Sequence, residues 1–194
     1  AYAKQSTHPE FIDFAANHPI YATWDDHDFG FNDGGANFTH RSFAEDIFET
    51  YWRSPADVRD RDGVYMSRTF GAEGQRVQLI MLDTRFFRSN LRRPGPGEEG
   101  PAVGRYLPDD SADKTMLGDA QWAWLEGELA KPADLRIVVS SIQVLTTAHG
   151  WEAWYEFPRE RDRLLAMLEA REDSGLVILS GDRHSGAIYE LEAP

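Results

Sequence analysis

Two rhythms alternate along the chain. Short runs that are mostly apolar, PIYATW at 19–24, RVQLIMLD at 76–83, LRIVVSS at 135–141 and LVILS at 176–180, are separated by segments in which apolar residues return every three or four positions. Mostly apolar runs of this length predict strands covered on both faces, and the longer period predicts amphipathic helices lying on them. RSFAEDIFETYW predicts a helix over 41–52, with Phe43, Ile47, Phe48 and Tyr51 turned to the core and Arg41, Glu45, Asp46 and Glu49 turned to water. GVYMSRTF and RVQLIMLD flank GAEG, whose glycines suit a tight connection, so they predict a hairpin. DAQWAWLEGELAK puts Trp122, Leu125 and Leu129 on one stripe between an early Asp119 and a late Lys131, and Pro132 stops it. Pro158 and Glu160 open another helix with a Leu164, Leu165, Leu168 stripe. GAIYELE at 186–192 predicts a final strand. Strands mixed with amphipathic helices in this order predict a layered α/β architecture in a single domain over residues 1–194.

Between these elements, residues 89–113 are rich in Pro, Gly and charge and carry neither period, so they form a long surface excursion of the kind often used functionally. With 33 acidic against 20 basic residues the net charge is −13, which repels nucleic-acid backbones and anionic membranes; any phosphate-bearing partner must be captured locally. No apolar run approaches the ~20 residues that span a bilayer. The absence of Cys removes disulfides and thiolate metal sites.

Polar chemistry gathers just after two apolar runs, as Trp24-Asp25-Asp26-His27-Asp28 and as Gly181-Asp182-Arg183-His184. The carboxyl ends of strands are where open α/β sheets place ligands. Carboxylates with imidazoles and no thiolate suit hard or borderline cations, and three carboxylates within four residues repel one another unless cations or arginines neutralise them. An exposed acidic turn is the plain alternative for the first cluster, and a capped strand-to-loop turn for the second. Asn32, Asp33, Gly34 and Gly35 follow the first cluster with further oxygen donors and a pliable backbone. Arg85, at the end of the run ending Leu82-Asp83, offers a fork to a phosphate oxygen or pairs with a nearby Asp. Arg88, Arg92 and Arg93 read as solvated loop charges, Trp151 and Trp154 as cover for the core or walls of a pocket, and His8, His18, His40 and His149 as surface or packing residues. No G-x-S-x-G elbow, Gly-rich phosphate loop or dinucleotide fingerprint is present, and nothing in sequence supplies Ser140 or Ser141 with a base.

Taken in order, TWDDHDFGFNDGG, GVYMSRTFG, RVQLIMLDTRFFR, LGDAQWAWLEGEL, RIVVSSIQVL, FPRERDRLL and LVILSGDRH resemble the PhoD-like alkaline phosphatase and phosphodiesterase family of calcineurin-like metallophosphoesterases, from about Tyr2 to Glu190. The resemblance implies an α/β/β/α sandwich and a metal-dependent phosphoester hydrolase in which a metal-bound hydroxide attacks phosphorus in line. It places Asp26, Asn32, Asp182 and His184 as metal ligands and His27 as the residue that stabilises or protonates the leaving group. It also turns Arg183 to the phosphate; beside these stand Arg85 as the candidate phosphate-binding residue read above, and Asp25 and Asp28 as additional ligands or their supports. Two or more ions among Ca, Fe, Mn and Zn are implied, and a periplasmic or extracellular location. The family's earlier ligand motifs lie before the region matched here, so the resemblance implies the C-terminal portion of a longer domain, incomplete without its N-terminal remainder. A non-catalytic module that binds divalent cations is the alternative, with a carboxylate-pair glycosidase behind it.

Overall fold

In a computed structural model, the structure describes residues 2–171 and 175–190. The chain enters through two helices, α1 (Tyr2–Gln5) and α2 (Pro9–Asn17), and then makes α3 (Asp26–Phe29), α4 (Arg41–Trp52) and α5 (Ala56–Arg59) before reaching the sheet. Four strands, β1 (Met66–Phe70), β2 (Val77–Met81), β3 (Leu135–Ser140) and β4 (Gly175–Ser180), stand side by side in that order. β1 and β2 form the antiparallel hairpin that GAEG predicts; β2, β3 and β4 run parallel. Parallel neighbours need crossovers, and α6 (Gly118–Leu129) and α7 (Pro158–Glu169) lie within the two here. The result is a mixed α/β fold, a partial sandwich.

The register fixes which residues share a face. Ile80, Val138 and Ile178 are aligned across β2, β3 and β4. With Trp122, Leu125 and Leu129 of α6, Leu164 and Leu168 of α7, and Trp154, they build the main core. Each fully buried side chain of that size stabilises the fold by roughly 1.5–3 kcal/mol. Arg136 lies on the same face and is buried. Its Nε donates to Gln78 Oε1 at 3.1 Å and its Nη2 to the Leu129 and Lys131 carbonyls at 3.2 and 2.6 Å, so a cation closes the C-terminal end of α6. On the opposite face, Met81 packs with Val58 and Met66, but toward β4 the cover runs out: Val177 is 43% and Leu179 51% exposed. A groove of about 610 Å³ runs between β4, α7 and residues 185–190.

Several sequence expectations are corrected. The 19–24 run forms no strand; it is an extended segment anchored by side chains, with Thr23 Oγ1 donating to the Leu82 carbonyl at 3.0 Å and Trp24 Nε1 to Asp83 Oδ1 at 2.9 Å. The run 176–180 is a strand but lies at the sheet edge, not buried on both faces. Residues 186–190 form no strand and Ile188 is 99% exposed; 191 and 192 lie outside the described residues. The helix over 41–52 is present but turned about its axis from the predicted orientation. Phe43 is 65% exposed while Glu45 and Glu49 are buried, because Glu45 accepts the Gly63 N–H and Phe48 packs edge-on against Trp24. The two N-terminal helices were not predicted by the pattern; Ile12 and Phe14 of α2 stay half exposed, so no core-facing stripe announces it.

Candidate metal and phosphate site

The loop from Trp24 to Gly35 is shaped by its backbone before its charges act. Trp24 is fully buried against Phe29 and Phe48, which fixes the start of α3. Asp26 is 6% exposed. Its carboxylate accepts the backbone N–H of His27 at 2.8 Å and of Asp33 at 3.1 Å, closing the loop on itself. Asp33 sits at a left-handed φ of 56°, a conformation that a short polar residue tolerates better than most. Gly35 is required for a different reason: a Cβ there would lie 2.5 Å from the Arg88 carbonyl oxygen.

Two arginines from the segment after β2 lock this loop, and both are fully buried. Arg85 Nε donates to Asp25 Oδ1 at 2.9 Å, a second contact from Nη2 reaches the same oxygen, and Nη1 donates to Glu152 Oε1 at 2.7 Å and to the Gly34 carbonyl at 3.3 Å. Arg88 Nη2 donates to the Asp33 and Gly34 carbonyls, each at 2.7 Å, and lies 2.8 Å from Glu152 Oε1. Glu152 is 2% exposed and bridges the two cations from the loop that follows β3. Removing charge from water costs several kcal/mol per ion, so such a group persists only when each member is paired. Tyr106, reaching over from the 89–113 excursion, donates its hydroxyl to Asp33 Oδ2 at 2.5 Å; burial, then that bond, pushes the hydroxyl up to about 12, so it stays a donor.

Asp26, Asp33 and Glu152 each present a carboxylate oxygen, and the three oxygens lie within 4.8 Å of one another. The second polar turn approaches from the end of β4. A cleft of about 330 Å³ has Thr23, Trp24, Asp25 and Asp28 on one side and Ser180, Gly181 and Asp182 on the other. Burial pushes the Asp182 carboxyl up, and repulsion from Asp25 and, more weakly, Asp26 adds to the shift. Carboxylates crowded in this way are what a hard cation would relieve, and the donor set, all oxygen, fits one.

The structure thus brings Asp25, Asp26, Asp28 and Asp182 to one place. His27 is at its rim, its side chain 81% exposed and its Nε2 3.9 Å from Asp26 Oδ2. Asn32 and His184 are exposed, and neither His27 nor His184 lines the cleft. His184 and Asp182 both take left-handed φ, 52° and 68°. Arg183 is half-buried, 3.7 Å from Asp182 and over the Trp151 ring at 5.5 Å. Arg85 departs from the phosphate-facing expectation: its donors are taken up by Asp25, Glu152 and Gly34 inside the fold. Arg88 likewise is a buried structural cation, not a solvated one. Sequence reasoning missed Glu152 and Tyr106 altogether, since each lies alone in a loop; the one available signal was a charged residue between Trp151 and Trp154. Ser140 and Ser141 are engaged structurally, Ser140 with the Ile142 carbonyl and Trp154, Ser141 with the Thr84 hydroxyl.

Loop carboxylates held by buried arginines, on a partial α/β sandwich, make up a candidate oxygen-rich cation site. The comparisons supply the family. The chain matches the family described as PhoD-like phosphatase over residues 1–194, and it belongs to that family. A solved structure described as "Structure of PhoD" superposes with a TM-score of 0.58 at 22% identity, a likeness of fold, covering 84% of this chain and 34% of that one. The chain therefore spans about a third of the length of that relative. No curated protein matches.

Proposed function

We propose that this chain carries part of the active site of a metal-dependent phosphoester hydrolase, acting on phosphodiesters or phosphomonoesters, with diesters preferred. The observation that carries this reading is the meeting of Asp26, Asp33 and Glu152 within 4.8 Å beside the Asp182 cleft, in a chain of the PhoD-like phosphatase family. Asp26, Asp33 and Asp182 would hold cations, with Asn32, His184, Asp25 and Asp28 as further donors or supports. When bound, such ions supply charge neutralisation at phosphoryl oxygens and activate water for attack on phosphorus.

The chain's own residues do the rest. Arg85, Arg88 and Glu152 hold the carboxylate loop in one geometry, and the Tyr106 hydroxyl keeps Asp33 turned toward Asp26. Arg183 faces the phosphate and offsets charge that grows on its oxygens. His27, exposed and free to move at the rim, gives a proton to the departing oxygen. Further donors come from the remainder of a longer polypeptide, of which this chain is a C-terminal portion. The setting proposed is periplasmic or extracellular, with membership of the family as its support; among the described residues no helix is long and apolar enough to cross a membrane.

The test is metal analysis of the full-length polypeptide combined with turnover of bis(p-nitrophenyl) phosphate and p-nitrophenyl phosphate before and after chelation. Diester hydrolysis that vanishes on chelation and returns with added metal is expected. Stoichiometric metal without hydrolysis of either ester would instead support a structural cation module.

A further inference from the structure

Three arginines outside the carboxylate cluster are mounted on aromatic faces beside it. The Arg93 guanidinium lies 5.1 Å over the Tyr106 ring; Arg105, at 5.0 Å, and Arg183, at 5.5 Å, both lie over Trp151. An aromatic face orients a guanidinium without neutralising it and leaves its N–H edges available. Arg93 and Arg105 are exposed and neither has a carboxylate partner among the described residues; the nearest acid to Arg183 is its own neighbour Asp182, at 3.7 Å.

The mounting is built, not incidental. Arg93, Arg105 and Tyr106 come from the 89–113 excursion, Trp151 from the loop after β3, and Arg183 from the turn after β4. The Arg105 and Tyr106 N–H groups both donate to the Gly150 carbonyl at 2.8 Å. Gly104 has φ 105°, and a Cβ there would come within 2.2 Å of Gly150, so the two loops meet only because both positions are glycine. The same two aromatics tie the wall to the site: Tyr106 bonds Asp33, and Trp151 precedes Glu152 in the chain. On a molecule of net charge −13, exposed cations such as Arg93 and Arg105 gathered at one rim concentrate polyanions there.

We propose that Arg93 and Arg105, beside the phosphate-facing Arg183, form an anion-binding wall that holds a second, non-reacting anionic group of the substrate. The preferred substrate class is then a polyanionic phosphodiester, one with a further phosphate beyond the scissile bond. This rests on the reading of the carboxylate cluster as a phosphoesterase site. The fork geometry of arginine matches a phosphate's oxygens in pairs, so replacing it with lysine keeps the charge and loses the match.

The experiment uses the full-length polypeptide and the p-nitrophenyl ester of thymidine 5′-phosphate, with and without a 3′-phosphate. The double variant Arg93→Gln/Arg105→Gln should raise KM for the 3′-phosphorylated compound about tenfold with kcat within about twofold, and leave KM for the unphosphorylated compound unchanged. Arg105→Lys should fall between. Equal KM values for wild type and double variant on the 3′-phosphorylated compound overturn the wall while leaving the hydrolase reading intact. Calorimetric titration with inorganic pyrophosphate in chelator decides the matter even if no ester is turned over. Binding about tenfold weaker in the double variant supports the wall, and identical binding rejects it.

Discussion

The two polar turns that carry the candidate site resemble each other in sequence and differ sharply in how they are held. Residues 25–35 are built around three buried charges, Arg85, Arg88 and Glu152, that arrive from two other segments of the chain. Residues 181–184 hang from an edge strand, with two left-handed residues and Arg183 resting on an indole face. One turn is fixed by partners more than fifty positions away; the other is shaped by its own backbone. A polar cluster after an apolar run therefore marks where a site lies but not whether it is rigid.

The largest expected effect separates the turns directly. Glu152→Ala leaves two buried guanidinium groups short of a carboxylate and should cost about 3–5 kcal/mol in urea unfolding, whereas Asp182→Ala should stay within about 0.5 kcal/mol. Equal losses would erase the distinction. A smaller effect comes from Glu156, four positions beyond Glu152 and just as buried, but with neither carboxylate oxygen hydrogen-bonded within the described residues. Burial pushes its carboxyl up to about 8. Because the folded value lies above the unfolded value of about 4.3, stability is full below that pH and is lost as pH rises through 8. Glu156→Gln should flatten this slope and stabilise the protein above pH 8 by roughly 1–3 kcal/mol; thermal melts at pH 5 and pH 9 read it, and parallel curves for the two proteins would show that the carboxyl is paired. The smallest effect is at His184, exposed with φ 52°. His184→Gly should be neutral or stabilising by up to about 1 kcal/mol. A clear loss of stability would mean that its imidazole is held by contacts.

Much of this was legible in the sequence because it is local. The hairpin, α6, β3 and α7 follow from period, glycine and proline alone, and Asp26 and Asp182 from their place after apolar runs. What was not legible depends on partners distant in the chain. The turn of α4 is set by the Gly63 N–H on Glu45, which outweighs the apolar stripe, so Phe43 and Ile47 face water. Arg85 looked like a phosphate ligand because its fork is ideal for one; the same fork is ideal for Asp25 and Glu152, and only the tertiary fold chooses between them. The exposed flank of β4 has the sequence of a covered strand, GLVILS, yet it stands at the sheet edge. Tyr106 and Arg105 sit in a stretch whose composition reads as surface excursion, and only the Gly104–Gly150 approach turns it toward the site.

The most direct measurement is the metal content and phosphodiester turnover of the full-length polypeptide against Asp26→Asn, a change that keeps size and removes charge. Loss of bound metal together with a fall in turnover of at least about a hundredfold, and an unchanged unfolding midpoint, is the predicted result. Wild-type metal content and wild-type turnover in that variant would contradict a cation site held by Asp26, Asp33 and Asp182.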